Sequence, residues 1–341
     1  MIRTPSFWYR REASLIAWLL LPLALLIAGA GWLRNRLVSP HKAQCPVICI
    51  GNITTGGTGK TPLVATLVNA AIERGWTPVI LTRGYGGSLK GPVLITPELS
   101  PELSPKLSPA QTGDEALMLS RIAPVVVAAN RAEGAALIEN KGLGDLIIMD
   151  DGMQNPGLHK NTVIACFNGR LGIGNGMVQP AGPLRESLAG IARAEAVIIT
   201  GRDETGLANR IAQRYPQTRI IHAERALNPH DVAAVGTGNV IAIAGIGDPE
   251  GFFTMIENAG FEHVEKIAFA DHEMISDDRL DRIRQQAQSA GATIITTEKD
   301  AARLDGRIAD IMTIRLDTTM PADFSGSVIP SLHPPLSRAQ D

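Results

Sequence analysis

The run Gly51-Asn-Ile-Thr-Thr-Gly-Gly-Thr-Gly-Lys60-Thr61 follows directly on the short apolar stretch Val47–Ile50 and opens a helical pattern. Glycines 56, 57 and 59 let backbone N–H groups turn inward around phosphate oxygens, and a helix start just behind them adds positive potential. Such a loop works at the junction of a buried strand and a helix, so it commits this part of the chain to an α/β architecture. Residues Thr54, Thr55, Gly56, Gly57, Thr58 and Gly59 would cradle the phosphates of ATP. Lys60 would reach the β- and γ-phosphates, and the Thr61 hydroxyl would bind Mg²⁺. Strict G-x-x-x-x-G-K-[ST] spacing asks for glycine at position 54, where this chain has Thr54.

Just upstream, Ala13 to Leu33 is a run of 21 residues without a charge. About 20 apolar residues cross the hydrocarbon core as a helix. A secretory signal has a shorter apolar region, and export would carry the nucleotide site into a compartment without ATP. The run is therefore read as an inner-membrane anchor, crossing the bilayer or lying in its interface, with the rest of the chain on the cytoplasmic side. Arg3, Arg10 and Arg11 before it and Arg34, Arg36 and Lys42 after it leave its orientation open. A net charge of −2 and 4% aromatics argue against a nucleic-acid partner. Cys45, Cys49 and Cys166 lie in or beside apolar runs and read as reduced core residues.

Behind the loop, short Val/Ile/Leu runs alternate with helical patterns: Val47–Ile50, Val79–Thr82, Val125–Ala129, Leu146–Asp150, Val163–Phe167 and Val197–Thr200. Their continuous apolar character predicts strands buried on both faces of a mainly parallel sheet. Leu63, Leu67, Val68, Ala71 and Ile72 recur at helical spacing between the first two. A second set follows at Arg219–His222, Val240–Ala244, Val264–Ala268, Thr293–Thr296 and Ile311–Ile314. The expected organisation is an anchor helix over 1–40, a P-loop domain over 41–205, and a smaller α/β domain over 206–341 facing it across a cleft. The four-residue repeat over 97–112, with proline at every fourth position, reads as an exposed, poorly ordered loop.

Asp150-Asp151-Gly152-Met153-Gln154 ends the run Leu146–Met149. Carboxylates at the carboxyl end of a buried strand suit a Mg²⁺ contact, and two adjacent ones repel each other without a cation. Asp114 and Glu115 open the helical pattern Ala116–Arg121, where an N-cap reading is the simpler one. Asp271-His272 reads equally well as a loop with a capping aspartate. Arg131 and Arg185 are candidates for gripping phosphate or transition-state charge, with a surface ion pair as the alternative.

Together, these segments resemble the tetraacyldisaccharide 4′-kinases of lipid A biosynthesis. The resemblance rests on the loop Gly51–Pro62, Thr82-Arg-Gly-Tyr-Gly86, Gly113-Asp-Glu-Ala116, Asp150-Asp-Gly-Met-Gln154, Gly182-Pro-Leu-Arg-Glu186, Ala244-Gly-Ile-Gly247, Asp271-His272 and Thr297-Glu-Lys-Asp300. It implies a P-loop kinase that moves the ATP γ-phosphate to the 4′-hydroxyl of an acylated glucosamine disaccharide 1-phosphate, and a monomer. It also implies that Asp114 takes the hydroxyl proton and that His272 tunes it. Asp150, Asp151 and Thr61 would support the metal, with Glu115 and Gln154 as polar support around metal and phosphates. Where the family's acidic motif ends Gln-His, Gln154 is followed here by Asn155. Two rivals stand beside this reading. A membrane-bound switch ATPase would carry lysine where Thr55 stands, and a soluble small-metabolite kinase would have no use for the anchor.

Overall fold

The computed structural model describes residues 5–10, 13–96, 107–270, 273, 275–304, 307–321, 324, 328 and 329. Contacts divide the chain into two compact units, Pro5–Glu224 with Met320–Asp341, and Arg225–Thr319.

The larger unit begins with a 3-10 turn, Ser6–Tyr9, and the helix α1 (Leu15–Leu37). The nucleotide-loop strand β1 (Val47–Gly51) and helix α2 (Lys60–Glu73) follow, then β2 (Pro78–Thr82), β3 (Val93–Ile95), α3 (Pro109–Thr112) and α4 (Asp114–Leu119). Next come β4 (Val125–Val127), α5 (Arg131–Asn140), β5 (Leu146–Asp150), β6 (Thr162–Asn168), β7 (Ala196–Thr200), α6 (Leu207–Arg214) and β8 (Arg219–Leu227). The strands of this unit lie in the order β8-β7-β6-β1-β5-β2-β4-β3, part of a nine-stranded sheet whose ninth strand, β13 (Leu316–Thr319), lies next to β8. Neighbours pair in parallel except β3, which runs antiparallel to β4 at the edge.

Alternation along β1 sorts the core into two layers. Ile48 and Ile50 meet Leu63, Val64, Leu67, Val68 and Ala71 of α2 on one face. Val47 and Cys49 join Ala135 and Ile138 of α5 and Leu207 and Ile211 of α6 on the other. Leu67 is completely buried, and its truncation to alanine would cost about 2–5 kcal/mol. Ile72, expected on the apolar stripe, is instead 48% exposed. The buried thiols match their expected inert role: desolvation pushes Cys49 up to about 12 and raises Cys166 as well.

α1 is the one helix among the described residues long and apolar enough to cross a bilayer. Ser14 caps it by accepting from the Ala17 amide at 3.3 Å. It runs past the uncharged stretch as far as Leu37, so Arg34 and Arg36 stand on its last turn, where cations favour the helix dipole. Only Ala17 and Ala24 are buried. Arg36 lies 5.0 Å from the Trp32 ring, the basic–aromatic pairing common at membrane interfaces.

The smaller unit contains α7 (Pro229–Val235), β9 (Val240–Ala244), α8 (Pro249–Glu257), β10 (Val264–Ala268) and α9 (Asp277–Ala290). It continues with β11 (Thr293–Thr297), α10 (Glu298–Leu304), β12 (Ile311–Ile314) and β13 (Leu316–Thr319). Its parallel sheet has the order β10-β9-β11-β12.

Sequence patterning located eleven of these strands but divided them differently. Arg219–His222 pairs in register with Ala196–Ile199 of β7, so it belongs to the larger sheet, and the boundary falls at Glu224 instead of 205. Phe324, Val328 and Ile329 also return to the larger core. Repeat residues 97–106 lie outside the described residues. The last repeat, Pro109–Thr112, is a helical turn and no loose loop: Thr112 is fully buried and its hydroxyl donates to the Ser108 carbonyl at 3.2 Å.

Candidate active site

The glycine loop is held from outside by its carbonyls. Thr200 Oγ1 at the end of β7 donates to the Thr58 carbonyl at 3.2 Å, and Asn168 Nδ2 at the end of β6 donates to the Gly57 carbonyl at 3.3 Å. Asn52 Nδ2 donates to the Thr54 carbonyl at 2.6 Å and to Thr58 Oγ1 at 3.3 Å. In a trans peptide the N–H points opposite to the C=O. Each carbonyl tied outward therefore turns the next N–H, those of Gly59, Thr58 and Thr55, to the other side. The N–H of Thr55 is taken by the Pro183 carbonyl at 2.8 Å, which leaves the Thr58 and Gly59 amides for the phosphate side.

Gly59 caps α2 at φ +74, a left-handed position that suits glycine. Thr54 needs no glycine, because Asp151 is the one non-glycine residue with positive φ among those described. It forms a bridge with Leu184 instead. This explains why the loop tolerates its departure from the strict spacing.

Strand register sets the acidic pair beside the loop. Ile50 of β1 lies opposite Asp150 of β5. Asp150 is 1% exposed; among the described residues its Oδ1 has no hydrogen-bond partner, and its Oδ2 receives the Thr82 hydroxyl at 3.5 Å. Burial, then Glu115 and Asp151, push its carboxyl up to about 7 against the pull of Lys60 and Arg131. A buried oxygen with no donor, pressed by like charges, is what a hard cation would stabilise. With Glu115 and the Thr61 hydroxyl near the same loop, the donor set is all oxygen and fits Mg²⁺. No group of three or more His, Cys, Asp or Glu stands ready to hold a metal among the described residues.

Asp151 has a different neighbourhood. It sits at φ +48, an uncommon conformation for an aspartate, and its carboxylate meets two cations. Arg185 Nη1 lies 2.8 Å from both of its oxygens, and Lys60 Nζ lies 3.7 Å from Oδ1. Burial alone would raise this carboxyl, but Lys60 and Arg185 outweigh it and hold the group below the usual range.

Arg131 opens α5 behind the N-cap Asn130 and is 3% exposed. It donates to the Ala128 carbonyl, while its Nε has no partner. Burial lowers its guanidinium to about 10, with Asp150 and Asp151 opposing. It remains a cation at neutral pH.

These groups border a cleft of about 990 Å³ within the larger unit. Thr55, Glu115, Arg131, Asp150, Asp151, Gln154 and Arg185 line it, as do Ile27, Ala28, Gly31 and Trp32 of α1. The apolar helix thus forms part of the wall of a polar site. Asp114 is 2% exposed and lies off that wall, its Oδ1 accepting from the Glu115 amide at 3.0 Å. Asp271 and His272 lie outside the described residues.

Several members of the site carried no role in the sequence reading, though Gln154 did, as polar support around the metal and phosphates. Thr82, Arg83 and Tyr85 leave the end of β2 and face the cleft. Gln154 donates to the Asn52 carbonyl and to Glu186, each at 2.8 Å, so it braces the loop entrance. Glu186 in turn receives Arg193 Nη2 on both oxygens at 2.7 Å, and Arg34 of α1 donates to the Gln154 carbonyl at 3.4 Å. The T-R-G-Y-G and P-L-R-E runs at strand and loop ends were the available signal. In the smaller unit, the T-E-K-D motif is structural. Asp300 accepts from the Gly245 amide at 3.1 Å, from Thr297 at 2.8 Å and from Arg303 at 3.0 Å, all buried.

Comparison with known proteins shows the family. The family model for tetraacyldisaccharide-1-P 4′-kinase, LpxK, matches residues 16–331. The tetraacyldisaccharide 4′-kinase of Parvibaculum lavamentivorans is 42% identical over 320 residues, covering 93% of this chain and 91% of that protein. That of Gluconobacter oxydans is 38% identical over 304 residues, covering 89% of each. The crystal structure of LpxK from Aquifex aeolicus in complex with ATP superposes with a TM-score of 0.70 at 26% identity, covering 91% of this chain and 96% of that one. On sequence and fold alike, the chain belongs to the tetraacyldisaccharide-1-P 4′-kinase family.

Proposed function

We propose that this protein transfers the γ-phosphate of ATP to the 4′-hydroxyl of a tetraacyldisaccharide 1-phosphate, at the inner membrane with both units on the cytoplasmic side. One observation carries the reading: a nucleotide loop and a buried, donor-poor carboxylate sit side by side on β1 and β5, and the cleft beside them is walled by the apolar helix α1. A soluble acceptor would have no use for that wall, and a switch ATPase would have no use for an acceptor cleft.

In this reading the loop from Thr54 to Gly59 cradles the triphosphate and Lys60 draws charge from its outer phosphates. Asp150, Glu115 and the Thr61 hydroxyl would hold Mg²⁺, which when bound neutralises charge between the β- and γ-phosphates. Asp151 keeps Lys60 and Arg185 aligned at the loop mouth. Arg131 and Arg185 supply positive charge where the transferred group becomes more negative. A sugar hydroxyl is a weak nucleophile, and a carboxylate accepting its proton contributes roughly 10²–10⁴-fold. Asp114 is assigned that task, tuned by His272, on the strength of the family motif.

The deciding experiment incubates the detergent-dispersed protein with γ-labelled ATP and the tetraacyldisaccharide 1-phosphate, then locates the label. Label on the 4′-oxygen supports the assignment. Label found only in inorganic phosphate would favour the ATPase reading.

A further inference from the structure

The Ser6–Tyr9 turn, directly ahead of the membrane helix, is bound to the nucleotide loop. Tyr9 Oη donates to the Thr55 carbonyl at 3.1 Å, across a sequence separation of 46. Trp8, 9% exposed, fixes the turn by donating from Nε1 to the Pro180 carbonyl at 3.0 Å and by accepting the Asn175 amide on its own carbonyl at 2.7 Å. The surface under it is shaped to match: a Cβ on Gly174 would stand 2.3 Å from the Trp8 carbonyl. Thr55 is gripped again through its hydroxyl, which accepts from Gln179 Nε2.

The Thr55 carbonyl shares a peptide plane with the Gly56 amide. Pulling that carbonyl outward aims the Gly56 N–H at the opposite side, where the phosphates bind. Gly56 stands at φ +108 and has no side chain of its own to set this orientation. Asn168 and Thr200 do the same for the later loop carbonyls, but both belong to the sheet. The brace on Thr55 comes from the chain that leads into the membrane.

We propose that Tyr9 is a positioning residue for the nucleotide site, seated by Trp8, so that the juxtamembrane turn sets the Gly56 amide and ties ATP affinity to docking of the anchor. This rests on the kinase reading given above. The test uses the full chain in detergent, comparing Tyr9→Phe with the unaltered protein. Removing one hydroxyl is expected to raise the KM for ATP about three- to tenfold, the loss of one hydrogen bond. The KM for the disaccharide and kcat should stay within about twofold, whereas general loosening would move all three. Trp8→Phe, which keeps an aromatic ring and loses Nε1, should shift ATP in the same direction. Hydrogen exchange over residues 51–61 should quicken in both variants. An unchanged KM for ATP in Tyr9→Phe, or a loss confined to kcat, overturns the proposal. Direct Mg·ATP binding is measured alongside: should the unaltered protein phosphorylate no disaccharide, the kinase reading fails, while equal ATP affinities of Tyr9→Phe and the unaltered protein still sink the brace.

Discussion

Lys60 directs its ammonium at Asp151, with Nζ 3.7 Å from Oδ1, and so links the first residue of α2 to the turn after β5. Arg185 closes the same carboxylate from the other side at 2.8 Å. Asp151 therefore acts as the fixed point that sets where two cations stand. Asparagine there keeps the shape and loses the charge. Asp151→Asn is expected to lower kcat/KM by roughly 10–100-fold, the usual effect of losing a partner that orients site groups. Steady-state kinetics at saturating Mg²⁺ checks this, and a value within twofold of the unaltered enzyme would rule the role out.

Asp150 gives the pH dependence its sign. Its folded carboxyl is raised from 3.8 to about 7, so between those values the folded protein holds a proton that the unfolded chain releases. Stability without a divalent cation then falls as pH rises through that window. Asp150→Asn should flatten this slope. Mg²⁺ competes with the proton, so its affinity should climb with pH up to about 7 and level off above it. Thermal melts from pH 4.5 to 8, with Mg²⁺ and with chelator, separate the two effects. A slope identical in Asp150→Asn would locate the titration elsewhere.

Much of this was legible in the chain because buried parallel strands announce themselves as unbroken apolar runs. The loop and the acidic turn were placed by their position after such runs. What escaped notice has physical causes. β3 is three residues long and follows Pro92, and β13 is four residues of mixed polarity, too short for any period to show. β8 was assigned to the wrong side because a strand does not encode its neighbour, and pairing with β7 decided it. Tyr9 and Glu186 act through partners 46 and 32 positions away, which no local spacing reveals. Asp151 hid its ion-pair role because Asp-Asp after a strand reads as a metal pair unless its backbone angle is known.

The smaller unit has its own keystone. Asp300 is 4% exposed and joins Gly245 at the end of β9 to Thr297 and Arg303 around α10. Removing one partner of a buried ion pair strands the other, at a cost of about 3–5 kcal/mol. Asp300→Ala should therefore destabilise this unit by that amount in denaturant titration followed by exchange of its own peptides. Peptides of β1 and β5 should keep their protection. Loss of protection in both units at once would show that the two unfold as one.

Glu186 joins the loop entrance to the region around Ser187–Arg193. It accepts Gln154 at 2.8 Å and Arg193 at 2.7 Å, and Gln154 passes the constraint to the Asn52 carbonyl. Gly190 makes room for it, since a Cβ there would come within 2.7 Å of Glu186 Oε2. Two unlike substitutions should then share one outcome. Glu186→Gln weakens the hold on Gln154 by removing charge, and Gly190→Ala displaces the same carboxylate by volume. Each is expected to cut kcat/KM by about fivefold or more, at the low end for outer supporting groups. Because both act through Gln154, the double variant should be little worse than the poorer single one. Multiplicative losses in the double variant would mean that Gly190 and Glu186 serve the site independently.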